Sequence, residues 1–151
     1  MLKKLFKFIF IDKSLKDDVE FLKKVALFSG LSDKALRKIA LILFKKTYIA
    51  GERIYKEKQE AEVLYLVKEG QVKISGLGNE KIIGQGSFFG EISLFKDRKH
   101  DSSAIAAQNC ELYLVYRVKF DDMVEDDAKI GLKIMKNLSA IFSVRLKCVE
   151  V

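Results

Sequence analysis

The chain has 151 residues, 49% of them hydrophobic and 32% charged. That is enough apolar material for one packed domain with a small appended element, and too much for a disordered chain. Proline is absent, a single histidine stands at position 100, and the two cysteines, Cys110 and Cys148, are far apart; this excludes proline-rich recognition segments, a His-rich metal centre, a Cys-based zinc site and a disulfide framework, and fits a reducing, cytoplasmic setting.

The formal charge of +7 sits at the two ends. Residues 1–16 carry five Lys and one Asp, residues 129–151 five Lys or Arg and one Glu, so each end is +4 and the stretch between sums to −1. A DNA-binding body needs its basic excess in the middle or along a recognition helix, so no DNA is expected as partner.

The start, Met1-Leu2-Lys3-Lys4-Leu5-Phe6-Lys7-Phe8-Ile9-Phe10-Ile11, has the outline of a signal peptide. Its apolar stretch Phe8–Ile11 is too short, and Asp12 follows without a small-residue cleavage site. It reads as a basic amphipathic segment, expected to be a partly frayed helix docking Leu5, Phe8 and Ile9 on the core; attachment of residues 1–11 to an anionic membrane surface is the other reading. No apolar run reaches the ~18–20 residues that a bilayer demands.

Leu15, Val19, Leu22 and Leu27 share one side of a helix predicted from Leu15 to Phe28, stopped by Ser29-Gly30. Ser32 is a good N-cap for the next helix, with Asp33 in its first turn and Leu36, Ile39, Ala40 and Leu43 as its apolar face. The pattern then shifts to short apolar runs: Thr47–Ala50 before Gly51, Val63–Val67, Val72–Ile74, Lys81–Ile83, Ala104–Ala107 and Leu112–Tyr116. Val63–Val67 and Val72–Ile74, joined through Glu69-Gly70, read as a hairpin. Many short strands closely spaced by turn residues indicate a barrel or sandwich. Val118 to Met123 is a short helix, and a longer one runs from Asp126 or Asp127 to about Val149. Its apolar residues form two stripes, Ile134, Leu138 and Ile141 towards Cys148, and Met135, Phe142, Leu146 and Val149. Either one stripe covers the strands and the other meets a second copy or a partner protein, or both are buried within one monomer.

The most informative segment is Gly84-Gln85-Gly86-Ser87-Phe88-Phe89-Gly90-Glu91-Ile92-Ser93-Leu94-Phe95. Its glycines fall one residue too far apart for G-x-G-x-x-G, and the Lys-Ser/Thr of a P-loop is missing. Gly90 permits close approach of a ligand to the backbone. Glu91–Phe95 suits a short helix whose free N–H groups favour an anionic group, and Glu91 is a carboxylate able to accept a sugar hydroxyl proton. His100, in the polar run Lys96–Asp101, is expected in an exposed loop with no nucleophile tied to it. Asp121-Asp122 and Glu125-Asp126-Asp127 are expected to cap helix starts rather than hold a cation. No metal site and no enzymatic constellation is found.

The chain resembles a cyclic nucleotide-binding domain, the module found in catabolite activator protein and in the regulatory subunit of cAMP-dependent protein kinase. The resemblance rests on Leu27–Ser32 as the opening helix-turn, Tyr48–Tyr55 as the first strand and glycine turn, Leu64–Ile74 as the hairpin with its glycine, Phe88–Phe95 as the start of the phosphate-binding cassette, and Cys110–Phe120 as the closing strand and following helix. It implies an α+β fold: an eight-stranded antiparallel, jelly-roll-like β-roll flanked by N-terminal helices and a long C-terminal helix. The implied organisation is an N-terminal helical extension over 1–26, the β-roll with flanking helices over 27–127 and the C-terminal helix over 128–151.

The resemblance also implies a ligand, cAMP or cGMP, and ligand-binding residues Gly90, Glu91, Ile92 and Ser93, followed by an arginine that pairs with the phosphate. At that place this chain reads Asp101-Ser102-Ser103-Ala104: an aspartate stands where the arginine belongs. A unit charge about 4 Å from the phosphate at an effective dielectric near 20 is worth roughly 4 kcal/mol, enough to move a micromolar ligand to about millimolar. Arg98 or Lys99 reaching back over the loop, a proton or a cation neutralising Asp101, or a register shift towards Arg98 are the ways to restore the balance. The helix-turn-helix that follows the long helix in transcription factors of the family is expected to be missing, as is a fused effector. The expectation is a free-standing, non-enzymatic regulatory module with atypical phosphate recognition that signals through its last helix, or a ligand-free interaction scaffold of the same fold.

Overall fold

A computed structural model of the chain describes residues 1–147, apart from the Lys147 side chain; the expected helix end at Val149 and the place of Cys148 lie outside the described residues. The elements in order are α1 (Leu2–Leu22), a 3-10 turn (Ala26–Phe28), α2 (Asp33–Ala40), β1 (Phe44–Tyr48), β2 (Arg53–Tyr55), β3 (Val63–Glu69), β4 (Val72–Gly76), β5 (Asn79–Ile83), β6 (Phe88–Phe89), a second 3-10 turn (Glu91–Leu94), β7 (Ser103–Ala106), β8 (Cys110–Tyr116), α3 (Arg117–Asp126) and α4 (Ala128–Lys147). They form two compact units, a helical one from Met1–Leu41 with the chain beyond Val124, and a strand-rich one over Ile42–Met123.

In the helical unit, α1 begins at Leu2 and stops at Leu22, earlier at both ends than the apolar spacing predicts. Val25 takes an extended backbone, φ −88° and ψ 118°, which breaks the helix and lets Leu27 and Phe28 bury from the 3-10 turn instead. Ser32 caps α2 as expected, its hydroxyl accepting the Ala35 N–H at 3.2 Å, and Leu36, Ile39 and Ala40 are buried. From α4, Ile130, Ile134 and Leu138 are buried, and Asn137 Nδ2 donates to the carbonyls of Leu27 and Ser29, both at 2.9 Å. Those carbonyls end the 3-10 turn, where backbone acceptors lack helical partners. Asp127 accepts the N–H groups of Lys129 and Ile130 and pairs with Lys38 at 3.1 Å, so α4 is capped by an acid as expected.

One expectation fails in this unit. Leu5, Phe8 and Ile9 do not dock on the core: they are 62%, 78% and 58% exposed. The buried residues of α1 are Asp18, Val19, Phe21 and Leu22, all in its last two turns. Among the described residues no helix is long and apolar enough to cross a membrane.

The strand-rich unit is a roll of two four-stranded antiparallel sheets, ordered β1-β8-β3-β6 and β2-β7-β4-β5. Strand β1 pairs with β8, β2 with β7, β3 with β6 and β4 with β5. The chain is thus one long antiparallel ribbon, turned at β4–β5 and rolled so that successive pairs alternate between sheets. The expected hairpin through Glu69-Gly70 is not one: β3 and β4 lie in different sheets. Alternation reveals a strand but not its partner. Gly70 makes the crossing possible, since it adopts φ +86° and a Cβ there would sit 2.4 Å from the Asn109 carbonyl oxygen. Between the sheets lie Tyr48, Tyr55, Val63, Tyr65, Val67, Val72, Ile74, Phe89 and Leu112 with their neighbours. Each fully buried aliphatic side chain there contributes about 1.5–3 kcal/mol.

Candidate functional site

The segment after the glycine-rich loop has two halves, both within the roll. The first is shaped by backbone. Phe88 and Phe89 pair with Leu66 and Tyr65 of β3. Gly90 then turns left-handed, φ +70°, where a Cβ would meet the Val63 carbonyl oxygen at 3.0 Å and the Tyr65 ring at 3.1 Å. This lets the chain bend directly against β3 and start the 3-10 turn Glu91–Leu94, as expected from the sequence. Ser93 N–H donates to the Gly90 carbonyl at 3.0 Å. The Ser93 side chain is fully buried, and its hydroxyl is the one buried polar side-chain atom without a hydrogen-bond partner among the described residues. Glu91 and Ile92 are half-buried.

The second half, Lys96 to Ser103, is held by side chains as well as by backbone. His100 is 4% exposed, which corrects the exposed-loop expectation. Its imidazole stacks on Tyr55, ring centroids 3.6 Å apart and planes within 6°, and its Cε1 lies 3.5 Å from where a Gly90 side chain would begin. Tyr55 in turn neighbours Tyr65 at 5.7 Å and Phe89 at 6.0 Å, and Tyr65 stacks on Phe89 at 5.0 Å. Backbone bonds frame the stack: His100 N–H to the Gln59 carbonyl at 2.9 Å, Lys58 N–H to the His100 carbonyl at 2.8 Å, and Ala61 N–H to the Arg98 carbonyl at 2.9 Å. Ser102 bonds the Tyr55 hydroxyl, and the Ser103 hydroxyl accepts the Glu57 N–H at 2.9 Å. Gly76 of β4 accommodates this strand, since a Cβ there would lie 2.7 Å from Ser102 Cβ.

The electrostatics follow from this packing. Burial pushes the Tyr55 hydroxyl up to about 12; the Ser102 bond opposes that, and the Glu91 and Asp101 carboxylates add to it. Both carboxylates of the cassette are therefore felt at one hydroxyl, and that hydroxyl stays protonated near neutral pH. Burial likewise holds His100 below its ordinary value, with Asp101 pulling weakly the other way, so the ring is a neutral imidazole at pH 7. Asp101 is exposed. Of the two cations that precede it in the loop, Lys99 pairs through Nζ with Glu60 at 3.6 Å, and Arg98 is exposed. Arg117, from α3, donates to the Phe95 carbonyl at 3.3 Å.

The structure thus brings Gly90, Glu91, Asp101 and Ser102 of the expected set towards Tyr55 and His100, while Ser93 is buried in the turn after Gly90 and Ser103 bonds the Glu57 N–H. Sequence reasoning places Tyr55 only at the end of a strand and glycine turn and finds no role for it at the site, and it misplaces His100, whose charged neighbours conceal a tertiary stack.

Comparison with known proteins accords with this arrangement. The family model described as the cyclic nucleotide-binding domain matches residues 45–127. The cAMP-dependent protein kinase regulatory subunit of Candida albicans is 36% identical over 92 residues, covering 60% of this chain and 20% of that protein. The Cyclic AMP receptor protein of Thermus thermophilus is 29% identical over 133 residues, covering 83% of this chain and 59% of that protein. This chain therefore spans less than two thirds of the length of these relatives. Among solved structures, the catabolite activator protein of Thermus thermophilus superposes with a TM-score of 0.70 at 26% identity, over 83% of this chain and 60% of that one. The regulatory domain of Toxoplasma gondii PKA, crystallised with cAMP, gives 0.66 at 28% identity, over 76% of this chain and 46% of that one. With the rolled sheets, the left-handed glycine and the following 3-10 turn in place, the chain belongs to the cyclic nucleotide-binding domain family.

Proposed function

We propose that this chain is a regulatory domain whose cyclic nucleotide site reads cAMP or cGMP weakly, because the ligand phosphate meets a carboxylate in place of a guanidinium. Gly90, Glu91, Ile92, Ser93, Asp101, Ser102 and Ser103 are the residues assigned to that site. The observation that carries the reading is Asp101 at the place where the resemblance implies an arginine, in the loop that follows the Gly90 turn, while Lys99 is paired with Glu60. The buried, partnerless Ser93 hydroxyl and the left-handed Gly90 suit an anion; Asp101 opposes it. Names among the relatives support the ligand class: a cAMP-dependent kinase subunit and a cGMP-dependent kinase. A ligand signals only by favouring one arrangement of the chain over another. The reader we assign is α4, which leaves Leu132, Val144 and Leu146 exposed for contact with a partner protein or a second copy.

Calorimetric titration of the full chain with cAMP and with cGMP tests this. The wild type is expected to bind in the high micromolar to millimolar range. Asp101→Arg is expected to tighten binding by about fivefold to a hundredfold, on the order of 1–3 kcal/mol after screening at an exposed position, and adding Glu91→Ala is expected to abolish the gain. Binding below about 10 μM by the wild type, or no response of either protein, overturns the reading. Silence of both proteins instead favours a scaffold whose hollow is filled, for which the Tyr55–His100 stack is the specific support.

A further inference from the structure

We propose that the first half of α1 is an interfacial anchor that lies on an anionic lipid surface. The starting observation is exposure. Phe8 is 78% exposed and Phe10 70%, with Leu2, Leu5, Phe6 and Ile9 each more than half exposed. Apolar side chains scattered singly on a surface need no explanation, but a contiguous patch of this kind marks a contact.

The direction of the patch decides what can cover it. An α-helix advances about 100° per residue. On that projection Leu2, Leu5, Phe6 and Ile9 fall on one side, with Phe8 and Phe10 at its margins. Lys3, Lys4 and Lys7 gather on the opposite side, with Ile11 among them. Within the same continuous helix, the buried Asp18, Phe21 and Leu22 fall on the lysine side, and the buried Val19 projects within about 20° of Phe8, at the margin of the apolar side. The apolar face thus turns by roughly half a circle between the two ends of α1. The packing that buries the last two turns faces away from Leu2–Phe10, so extending it towards the N-terminus leaves the patch uncovered. A surface approaching from the other side covers it.

Charge and dimensions identify that surface. Residues 1–11 contain three lysines and no acid, so the polar side of this stretch is uniformly positive, as suits anionic headgroups. The apolar arc spans more than half of the circumference, far wider than the narrow seam of a two-helix contact. Residues 2–11 measure about 15 Å along the axis, half of the ~30 Å hydrocarbon core. The segment therefore fits in the plane of the interface and not across it, in keeping with a helix too polar and too short in its apolar part to span. Lysines flanking a wide apolar face can extend to the headgroups while the phenylalanines enter the acyl boundary.

Co-sedimentation of the full chain with vesicles tests the anchor. One set is phosphatidylcholine alone, the other phosphatidylcholine with phosphatidylserine at about three to one. The expected result is sedimentation with the anionic vesicles and release as salt is raised and the Debye length shrinks. The triple variant Lys3→Gln, Lys4→Gln, Lys7→Gln is expected to lower partitioning on the order of a hundredfold, a factor of about five per lysine. Phe6→Ser with Ile9→Ser is expected to abolish it, with an unchanged melting temperature because neither residue is buried. Failure to sedimentation with anionic vesicles at low salt overturns the anchor, as does binding that persists in the Phe6/Ile9 variant. Self-association in solution that disappears with Phe6→Ser and Ile9→Ser, without vesicle binding, overturns it in favour of a second copy on this face.

Discussion

The two halves of the cassette are held by different forces. Phe88–Leu94 is fixed by backbone: two residues paired to β3, a left-handed glycine, a 3-10 turn. Lys96–Ser103 adds to its backbone bonds with Lys58, Gln59 and Ala61 a set of side-chain contacts from elsewhere in the roll that the first half lacks: the Tyr55–His100 stack, the Ser102–Tyr55 bond and the Ser103–Glu57 bond. The first half keeps the shape expected of a phosphate cradle. The second half carries Asp101, where the resemblance implies an arginine. On the proposed function, the form of the site comes from the first segment and its altered charge from the second.

The largest effect is expected where the shape is made. In Gly90→Ala the new Cβ has φ +70° to adopt and stands 3.0 Å from the Val63 carbonyl oxygen, which is backbone in β3 and cannot swing aside. Left-handed backbone costs a non-glycine residue about 1–2 kcal/mol, and crowding of a packed site a similar amount, so a loss of about 2–4 kcal/mol is expected. Chemical denaturation measures it. The loss should be nearly the same at pH 5 and pH 7.5, values chosen to span the ordinary histidine range of about 6.5, because the two tightest contacts, the Val63 carbonyl oxygen and the Tyr65 ring, do not titrate there and the His100 ring stands farther off at 3.5 Å. A pH-dependent loss breaks the distinction between the two halves.

The second half is expected to respond to pH. Folding holds His100 below its ordinary value, mainly by burial. The unfolded chain takes up a proton near pH 6.5, whereas the folded chain resists until the pH is lower. This contribution to stability is therefore complete above about pH 6.5 and is lost as the pH falls through the folded value. The melting temperature of the wild type should decline on acidification over that range. His100→Phe keeps a ring against Tyr55 and removes the proton, so its melting temperature should be flatter. Equal slopes in the two proteins would show that the stack does not bear the titration.

What could be read from the sequence divides along the same line. Gly90, Glu91 and the short helix after them declare themselves locally, because a left-handed turn and a run of free N–H groups depend on neighbouring residues. So do Ser32 capping α2 and Asp127 capping α4. The eight strands and their sheets followed from the family resemblance, while the turn through Gly70 was misread because short-range alternation carries no information about which strand lies opposite. His100 was placed in solvent for a similar reason: its neighbours Lys99 and Asp101 are charged and exposed, and the ring that buries it belongs to β2. Hydrophobicity alone sends Leu5, Phe8 and Ile9 to the core, although Leu5 and Ile9 face away from the side that α1 buries further along and Phe8 sits at the margin between the two.

The smallest expected effect sits where the halves share a function. Ser93 belongs to the backbone-shaped half, yet its hydroxyl is buried with no partner among the described residues. A buried hydroxyl stripped of water and left unpaired costs more than an aliphatic group of similar shape in the same place. Ser93→Ala should then raise stability, by about 1 kcal/mol or less, read as an increase of about 2–4 °C in melting temperature for a chain of this size. In the Asp101→Arg background the same change should weaken cyclic nucleotide binding, because a phosphate oxygen is the acceptor that the hydroxyl lacks in the free protein. A gain in stability together with a loss of affinity would mark Ser93 as a group kept for ligand at the expense of the fold. A loss of stability on Ser93→Ala would mean that the hydroxyl already serves the packing of the turn, and the backbone-shaped half would then owe its form to a side chain as well.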